Sequence, residues 1–391
     1  MIPRLRPPTG LREIAAAFAA RSSVADFERA FARTFGQAEA VAFPYGRTGL
    51  LVLLEALGIR GREIVLPAYT CVVVAHAIVL SGNRPVFVDS EAGGFNMDLD
   101  KAEAAITPDT AAILATSIHG YPVDLDRLAA LRARNPHVRI IQDCAHSFAA
   151  EWNGAPVHKA GVAAVFGLNI SKVMTSVFGG MVTTDDPELA MRLRSLRDGR
   201  VTAGGRGLGR ALYLAAASMA LSPPTFGVVQ RIAELGLIDR FVRYYDETLI
   251  DMPTDHLAQI GRAEASVGVL QCAAYDGIVA HRRDIAAFYD AALRPALSAN
   301  LPPLVAGATY SHYVLGVPDP LRLVAAARTR GVELGRVIDY CIPHMPAYRE
   351  MTAGQGPFDE TCRLNASIVN VPLWVDRRRA AKVAEILGEI G

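Results

Sequence analysis

Lysine is scarce in this chain. Only four of the 40 basic residues are lysines, and the other 36 are arginines. The four lysines are Lys101, Lys159, Lys172 and Lys382. Arginine cannot act as an amine nucleophile, so a lysine that remains in such a background is a candidate for covalent chemistry.

Clustered cysteines, net charge and long apolar segments are lacking as well. The five cysteines are scattered without a C-x-x-C spacing, which predicts a reduced, cytoplasmic protein with no structural zinc site. They are Cys71, Cys144, Cys272, Cys341 and Cys362. The net charge of +1 and the absence of a basic stripe argue against nucleic-acid binding. No long apolar stretch opens the chain, which argues against a signal peptide.

Short apolar segments alternate with helical patterns along the first half of the chain. Strands are predicted at Glu63–Leu66, Pro85–Val88, Ala111–Thr116, Val138–Gln142, Ala163–Phe166 and Met181–Thr184. Helices are predicted as a pair within residues 11–34 and at Leu50–Leu57, Val72–Leu80, Lys101–Ile106 and Leu125–Ala133. This alternation predicts an α/β fold with a mostly parallel sheet that is covered on both faces.

The pattern changes after Gly199. Residues 203–247 are Gly-rich and then apolar and helical, with Pro223-Pro224 between two segments. A long helix is predicted at Ala263–Leu293, and shorter elements from Tyr310 onwards predict a smaller α+β domain. We therefore expect a large domain at 1–255, which includes a helical insert at 203–247, and a small C-terminal domain at 256–391.

Lys172 lies between two predicted strands, in Phe166-Gly-Leu-Asn-Ile-Ser-Lys172. Burial lowers the pKa of a lysine, and the neutral amine is the form that makes a Schiff base. The alternative is a lysine at a strand end whose charged group extends to solvent. The other three lysines lie in polar or helix-surface settings and are expected to be solvated.

Two further features suit an anionic cofactor. Asp143 ends an apolar strand, and the carboxyl ends of parallel strands are where such sheets bind ligands. A carboxylate there can keep a pyridine nitrogen protonated, although an Asp that caps the next turn would look the same. The turn Gly46-Arg-Thr-Gly49 precedes a helix, whose free N–H groups favour an anion, and Arg47 adds a charged donor.

The chain resembles the DegT/DnrJ/StrS aminotransferases over nearly its whole length. The matching stretches are Gly46–Leu50, Glu63–Thr70, Pro85–Asp89, Ile106–Thr110, Gln142–His146, Ser171-Lys172, Gly179-Gly180 and Val371–Leu373. The resemblance implies the fold-type I architecture of pyridoxal 5'-phosphate (PLP) enzymes. It also implies a homodimer in which each active site borrows residues from the partner.

The resemblance assigns roles to individual residues. It implies that Lys172 holds PLP as an internal aldimine and then moves protons, that Asp143 pairs with the pyridinium nitrogen, and that His146 lies near the phenolic oxygen. It places the phosphate on backbone groups of Gly46, Arg47 and Thr48. The remaining cofactor-binding residues that it implies are Tyr69, Cys71 and Ser171.

Several positions depart from the family pattern. The hydroxyl residue usual five positions before the lysine is Gly167, and the partner-chain Asn that usually contacts the phosphate falls near Leu257. Cys71 stands where an aromatic residue often stacks on the ring. Arg47 replaces a small residue, and we interpret it as compensation for the two lost phosphate ligands.

The resemblance favours transfer of an amino group from a donor, expected to be glutamate, to a keto-sugar nucleotide in amino-sugar and polysaccharide biosynthesis. One alternative keeps the cofactor and changes the acceptor to a keto-cyclitol or a lipid-linked ketone. Another is a PLP-dependent sugar dehydratase or a regulator. The presence of Lys172 disfavours dehydration, because the dehydrating relatives lack this lysine, and no DNA-binding segment supports a regulator.

The insert at 203–247 has two interpretations. Its apolar residues fall at mainly helical spacing with arginines between them. The apolar residues are Phe226, Val229, Ile232, Ile238, Phe241 and Val242, and the arginines are Arg231, Arg240 and Arg243. Either the helices pack on the body or on a partner subunit, or they form an interfacial hairpin that rests on a membrane or covers an apolar substrate.

Overall fold

A computed structural model describes residues 1–202, 206–235, 245–297 and 301–390, with the backbone alone at 233, 234 and 296. Ile238, Phe241, Val242, Arg240 and Arg243 of the predicted insert lie outside the described residues.

A seven-stranded sheet forms the centre of the molecule. The strands of the chain are β1 (Glu39–Phe43), β2 (Glu63–Pro67), β3 (Arg84–Val88), β4 (Thr110–Thr116), β5 (Arg139–Asp143), β6 (Glu151–Trp152), β7 (Ala155–Pro156), β8 (Ala163–Gly167), β9 (Gly180–Thr184), β10 (Tyr313–Gly316) and β11 (Ile368–Val371). The central sheet has the order β1-β9-β8-β5-β4-β2-β3. Only β9 runs against its two neighbours, so the sheet is mostly parallel, as predicted.

Helices cover both faces of this sheet. They are α1 (Leu11–Ala19), α2 (Val24–Phe35), α3 (Gly46–Ala56), α4 (Val72–Leu80), α5 (Leu99–Ala104), α6 (Leu125–Arg134), α7 (Pro187–Asp198), α8 (Gly207–Ala220), α9 (Pro223–Glu234), α10 (Arg262–Leu297), α11 (Pro320–Thr329), α12 (Asp359–Ser367) and α13 (Arg377–Ile390). Alternate residues of β4 show the two faces. Leu114 packs in the core that contains α3 and α4, and Ile113 in the core that contains α2 and α6. Because both faces are buried, the central strands are continuously apolar rather than alternating.

The elements of the large domain that were not predicted include β1, α7 and the short hairpin of β6 and β7. Strand β1 is short and rich in alanine, which is a weak strand former, and it is held by pairing with β9. Helix α7 begins with the Asp186 cap and has Pro187 in its first turn, both of which are helix-start signals in the sequence.

The C-terminal part is built on a second, two-stranded antiparallel sheet of β10 and β11. The long helix α10 contacts α1 and α2 on one side and α13 on the other. The chain start also reaches this part, because Ile2 bridges Val332 and the Pro3 carbonyl accepts a hydrogen bond from the Trp374 indole. The boundary at 255/256 therefore stays a prediction, since elements from both sides of it pack together.

The first helices of the insert are α8 and α9, which meet at the Pro223-Pro224 break. Among the described residues, no individual helix has the length and apolar character needed to cross a membrane. The segments Gly207–Ala220 and Pro223–Ile232 satisfy that criterion only when taken together, and they are bent by 96° relative to one another.

Candidate active site

A cavity of about 650 Å³ lies at the carboxyl edge of the central sheet. Strands β4, β5 and β8 contribute Thr116, Asp143 and Gly167 to its wall, and β11 contributes Asn370 from the C-terminal part. Seven of the predicted site residues line it, namely Gly46, Arg47, Cys71, Asp143, His146, Ser171 and Lys172. The topology thus gathers residues that are more than 100 positions apart at the sheet edge where α/β proteins bind ligands.

Lys172 lies in the turn between β8 and β9 and is half-buried. Burial lowers the pKa of its ammonium group, and the nearby Cys71 and Asp143 oppose that shift. The backbone N–H of Lys172 donates to the Asn169 carbonyl at 3.1 Å, which fixes the turn. Ser171 is exposed, and its hydroxyl donates to the Asn169 side chain at 2.6 Å. The lysine is therefore poised to lose its proton more readily than an exposed lysine.

Asp143 is buried at the end of β5. Burial raises the pKa of its carboxyl group, while the Ala145 N–H, Lys172 and the Thr116 hydroxyl oppose the shift. The Ala145 N–H donates to Oδ1 at 3.0 Å, and the Thr116 hydroxyl donates to Oδ2 at 3.4 Å. A buried carboxylate with these few partners is suited to a cationic partner such as a protonated ring nitrogen.

Two histidines, His146 and His312, line the cavity, and His119 packs behind them. The rings of His119 and His146 stack at 6.1 Å, and His312 packs against His146 at 5.3 Å. Nδ1 of His146 accepts the backbone N–H of His119 at 3.4 Å, so the proton of its neutral ring resides on Nε2. Burial holds the pKa of His146 well below its usual value, and Lys172 adds to this effect. His146 is therefore a neutral donor inside the cavity.

Helix α3 points its N-terminus into the cavity. Its N-cap, Tyr45, makes no side-chain capping bond, and its hydroxyl donates to Asp255 at 2.7 Å. Backbone packing is close here, since a Cβ on Gly46 would lie 3.0 Å from the Phe166 carbonyl oxygen. Uncapped N–H groups and the helix dipole make this end an anion site. The donor set therefore fits a phosphate at α3, a ring nitrogen at Asp143 and an aldehyde at Lys172, which is the pattern of PLP.

Two predicted cofactor residues lie outside the cavity lining. The Thr48 hydroxyl donates to the His256 carbonyl at 3.0 Å and is buried. Tyr69 is fully buried behind the wall, where its hydroxyl lies 3.3 Å from Nε2 of His119. From the same loop, Cys71 rather than Tyr69 faces the cavity.

Gly167 and Leu257, which stand where the family usually has phosphate ligands, lie in different places relative to the cavity. Gly167 lines the cavity, and a Cβ there would lie 3.3 Å from Cε of Lys172, so the glycine leaves room for the lysine chain. Leu257 is not part of the lining, and its carbonyl accepts the Thr202 N–H at 2.8 Å.

Sequence reasoning missed most of the cationic groups of the site. The described part of the chain places five arginines in the lining, Arg4, Arg6, Arg47, Arg282 and Arg336, of which only Arg47 was predicted. Among the lining residues that the structure describes, Asp143 is the only carboxylate. Arg4 and Arg6 lie near the start of the chain, where no sequence motif indicates a binding site. Tyr213 of the insert also lines the cavity, with its ring 5.0 Å from Phe178.

The sequence profile of the DegT/DnrJ/EryC1/StrS aminotransferases matches residues 15–215, just over half of the chain. The chain belongs to this family. The matched segment of this chain contains Gly46, Asp143, His146 and Lys172. It ends inside α8, so the second insert helix and the C-terminal part lie beyond it.

Named relatives agree with this family. Over 175 residues the chain is 36% identical to the GDP-perosamine synthase of Caulobacter vibrioides, a match that covers 44% of this chain and 47% of that protein. The chain thus matches about half the length of this curated relative.

Solved structures show the fold. The sugar aminotransferase CalS13 of Micromonospora echinospora superposes with a TM-score of 0.75 at 22% identity, over all of both chains. A Streptococcus pneumoniae protein in its PMP form gives a TM-score of 0.78 at 19% identity, over 100% of this chain and 99% of that one. This protein was also solved in a PLP form. The predicted fold-type I architecture of the DegT/DnrJ/EryC1/StrS family is confirmed.

Proposed function

We propose that this chain is a PLP-dependent aminotransferase that transfers an amino group from glutamate to a keto-sugar nucleotide. The observation that carries the proposal is the meeting of Lys172, Asp143 and the uncapped N-terminus of α3 around one cavity. We also propose that the enzyme is a cytoplasmic homodimer. None of the five cysteines, all of which lie in described residues, forms a disulfide, and this supports a reducing compartment.

When bound, PLP supplies an electron sink for the carbanion that forms during amino transfer. Asp143 would hold the ring nitrogen protonated, and Nε2–H of His146 would donate to the phenolic oxygen. Burial lowers the pKa of Lys172, which favours the neutral amine, the form that can bond covalently to the cofactor and then carry a proton.

The charge of the lining supports an anionic substrate. Among the described residues, the lining contains five arginines and one carboxylate, so a diphosphate or a dicarboxylate would be attracted. Arg336 donates to the Asn365 carbonyl, while its buried Nε has no hydrogen-bond partner among the described residues. Since a buried N–H without a partner is costly, we assign this donor to a substrate oxygen.

The test combines purified enzyme and glutamate with a panel of keto-sugar nucleotides, and measures 2-oxoglutarate and the aminated sugar. We expect turnover with at least one nucleotide-linked ketone and none in Lys172→Ala. Arg336→Ala should raise KM for a substrate more than it lowers kcat. Turnover of other ketones but of no nucleotide-linked one would refute the acceptor, and the absence of 2-oxoglutarate with every ketone would refute glutamate transamination.

A second acceptor, a lipid-linked ketone, is favoured by the insert. Helix α8 carries Tyr213, which lines the cavity, and both α8 and α9 expose apolar side chains. The exposed residues are Leu208, Leu212 and Met219 on α8 and Val228 and Ile232 on α9, and the exposed Leu235 follows α9. No acidic residue lies between Arg206 and Arg231, which suits an anionic lipid surface. Phe226, which was also considered for this surface, is buried and packs inward.

Flotation with anionic liposomes measures whether the protein binds a lipid surface, which a lipid-linked acceptor requires. Co-flotation should disappear in a Leu212→Glu, Val228→Glu variant and persist in Met191→Glu, whose apolar side chain is exposed on α7. If wild type stays in the soluble fraction and the double variant loses its dimer, the face belongs to the subunit interface and the lipid-linked acceptor is refuted.

A further inference from the structure

Two thiols and an imidazole meet in the C-terminal part, at residues that do not line the cavity. Cys341 is buried and precedes the short 3₁₀ turn Ile342–His344, and Cys362 lies in α12. Sγ of Cys362 is 3.8 Å from Nδ1 of His344. The three side chains can each offer one ligand atom, and these atoms all lie within 4.8 Å of one another.

The surrounding structure holds these ligands in place from both sides. The start of α12 is fixed by Asp89, whose carboxylate accepts the backbone N–H groups of Glu360 and Thr361 at 3.2 and 2.8 Å. The turn that carries His344 is closed by its N–H, which donates to the Cys341 carbonyl at 3.0 Å. Ligands that the fold has already positioned lose little conformational freedom when a metal binds.

We propose that Cys341, His344 and Cys362 bind a zinc ion. Two thiolates and an imidazole form a soft ligand set that selects zinc over calcium or magnesium. Tetrahedral geometry with Zn–S of about 2.3 Å and Zn–N of about 2.0 Å puts sulfur and nitrogen about 3.5 Å apart, near the 3.8 Å that separates Cys362 Sγ from His344 Nδ1. On binding, each thiol releases its proton to solvent, and two thiolates balance the charge of the ion.

The fourth coordination position is assigned to water. His344 is exposed, so the ion would face solvent on that side. Asp89, the nearby carboxylate, is already engaged by Lys101 at 3.0 Å and by backbone N–H groups. A site with three protein ligands and water is more labile than one with four, so the zinc should be removable by a chelator.

The site lies next to the cavity wall. Tyr340, the neighbour of Cys341, lines the cavity, and its hydroxyl accepts the Val72 N–H at 3.1 Å. Zinc would tie the segment that carries Tyr340 to α12 and so hold this wall. The scattered spacing of the cysteines predicted no zinc site, because 20 positions of chain separate Cys341 from Cys362 and only the folded chain brings them together.

The experiment measures zinc in the purified full chain by mass spectrometry after dialysis against Zn²⁺ and then metal-free buffer. Wild type and Cys272→Ala, which removes a buried thiol elsewhere, should retain one zinc per chain. Cys341→Ala and Cys362→Ala should retain none while staying folded by circular dichroism. Zinc should raise the Tm of wild type and of the control but of neither ligand variant.

Cobalt identifies the ligands independently of stability. Co²⁺ in the wild-type site should give thiolate charge-transfer absorption, which disappears in Cys341→Ala. A cobalt spectrum without that absorption would place the metal on His119, His146 and His312, whose ring nitrogens also lie close together, and would overturn the proposal. Absence of zinc from wild type, or a Cys341–Cys362 disulfide under reducing conditions, would overturn it as well.

Discussion

Arg47 occupies a position that is unfavourable unless an anion is present. It lies in the first turn of α3, where the helix dipole repels a cation by roughly 0.3–1 kcal/mol. It contacts the Tyr45 ring at 5.7 Å, and the described residues offer it no acidic partner. We therefore predict that Arg47→Ala weakens PLP binding and leaves the cofactor-free protein as stable or slightly more stable.

The magnitude follows from one lost charged hydrogen bond. Such a bond contributes about 1.5–3 kcal/mol, which corresponds to a roughly ten- to a hundredfold rise in Kd. The helix N–H groups remain, so binding should weaken rather than disappear. Arg47→Lys keeps the charge but not the two-pronged geometry, and should fall between wild type and Arg47→Ala.

The assay removes the cofactor and titrates PLP back while absorbance is followed. Urea unfolding of the same cofactor-free samples gives their stability. Arg12→Ala, on the exposed surface of α1, is the matched control and should change neither quantity. An unchanged Kd in Arg47→Ala would refute the interpretation that this arginine compensates for Gly167 and Leu257, and would assign the phosphate to backbone groups alone.

Two further predictions concern the buried charges. Asp143→Asn should lower turnover by on the order of a hundredfold or more. The cofactor-free variant should be at least as stable as wild type, since burial raises the pKa of Asp143 and a buried charge is costly. A near-normal kcat in the variant would mean that Asp143 only caps the turn. Lys172→Met should stabilise the cofactor-free protein at neutral pH, and Lys382→Met, on the exposed face of α13, should not. Because folding lowers the pKa of Lys172, the unfolded wild-type chain binds more protons than the folded one. The stability gained by Lys172→Met should therefore shrink as pH rises to about 10.4, as measured by urea unfolding. A gain that does not change with pH would contradict a lowered pKa of Lys172.

The elements that sequence patterns predicted well are those with strong local signals. Helix α4 has the predicted bounds, and β5 ends at Asp143 as expected, because continuous apolar runs between turn residues specify buried elements. Strand β1 was missed because its stability comes from pairing with β9, more than 130 positions away. Local propensity carries no information about such a partner.

The residues of the candidate site also fall into those that local sequence signals predicted and those that only the folded chain brings to the cavity. Asp143 and Lys172 follow apolar strands, so their place at the sheet edge could be inferred from the topology of parallel strands. Arg4 and Arg336 reach the cavity only because the chain start packs on the C-terminal part, which no spacing in the sequence encodes. Tyr69 shows the limit for a single loop, since a short stretch fixes which residues lie nearby but not which of them faces the ligand.

The attachment of the cofactor to Lys172 is the central claim and can be measured directly. Purified protein is saturated with PLP, reduced with borohydride, digested and analysed by tandem mass spectrometry. The account predicts a yellow protein that carries the cofactor mass on the peptide of Lys172 and on no other lysine. Recovery of that mass on Lys101, Lys159 or Lys382 alone, or no covalent cofactor after saturation, would contradict it.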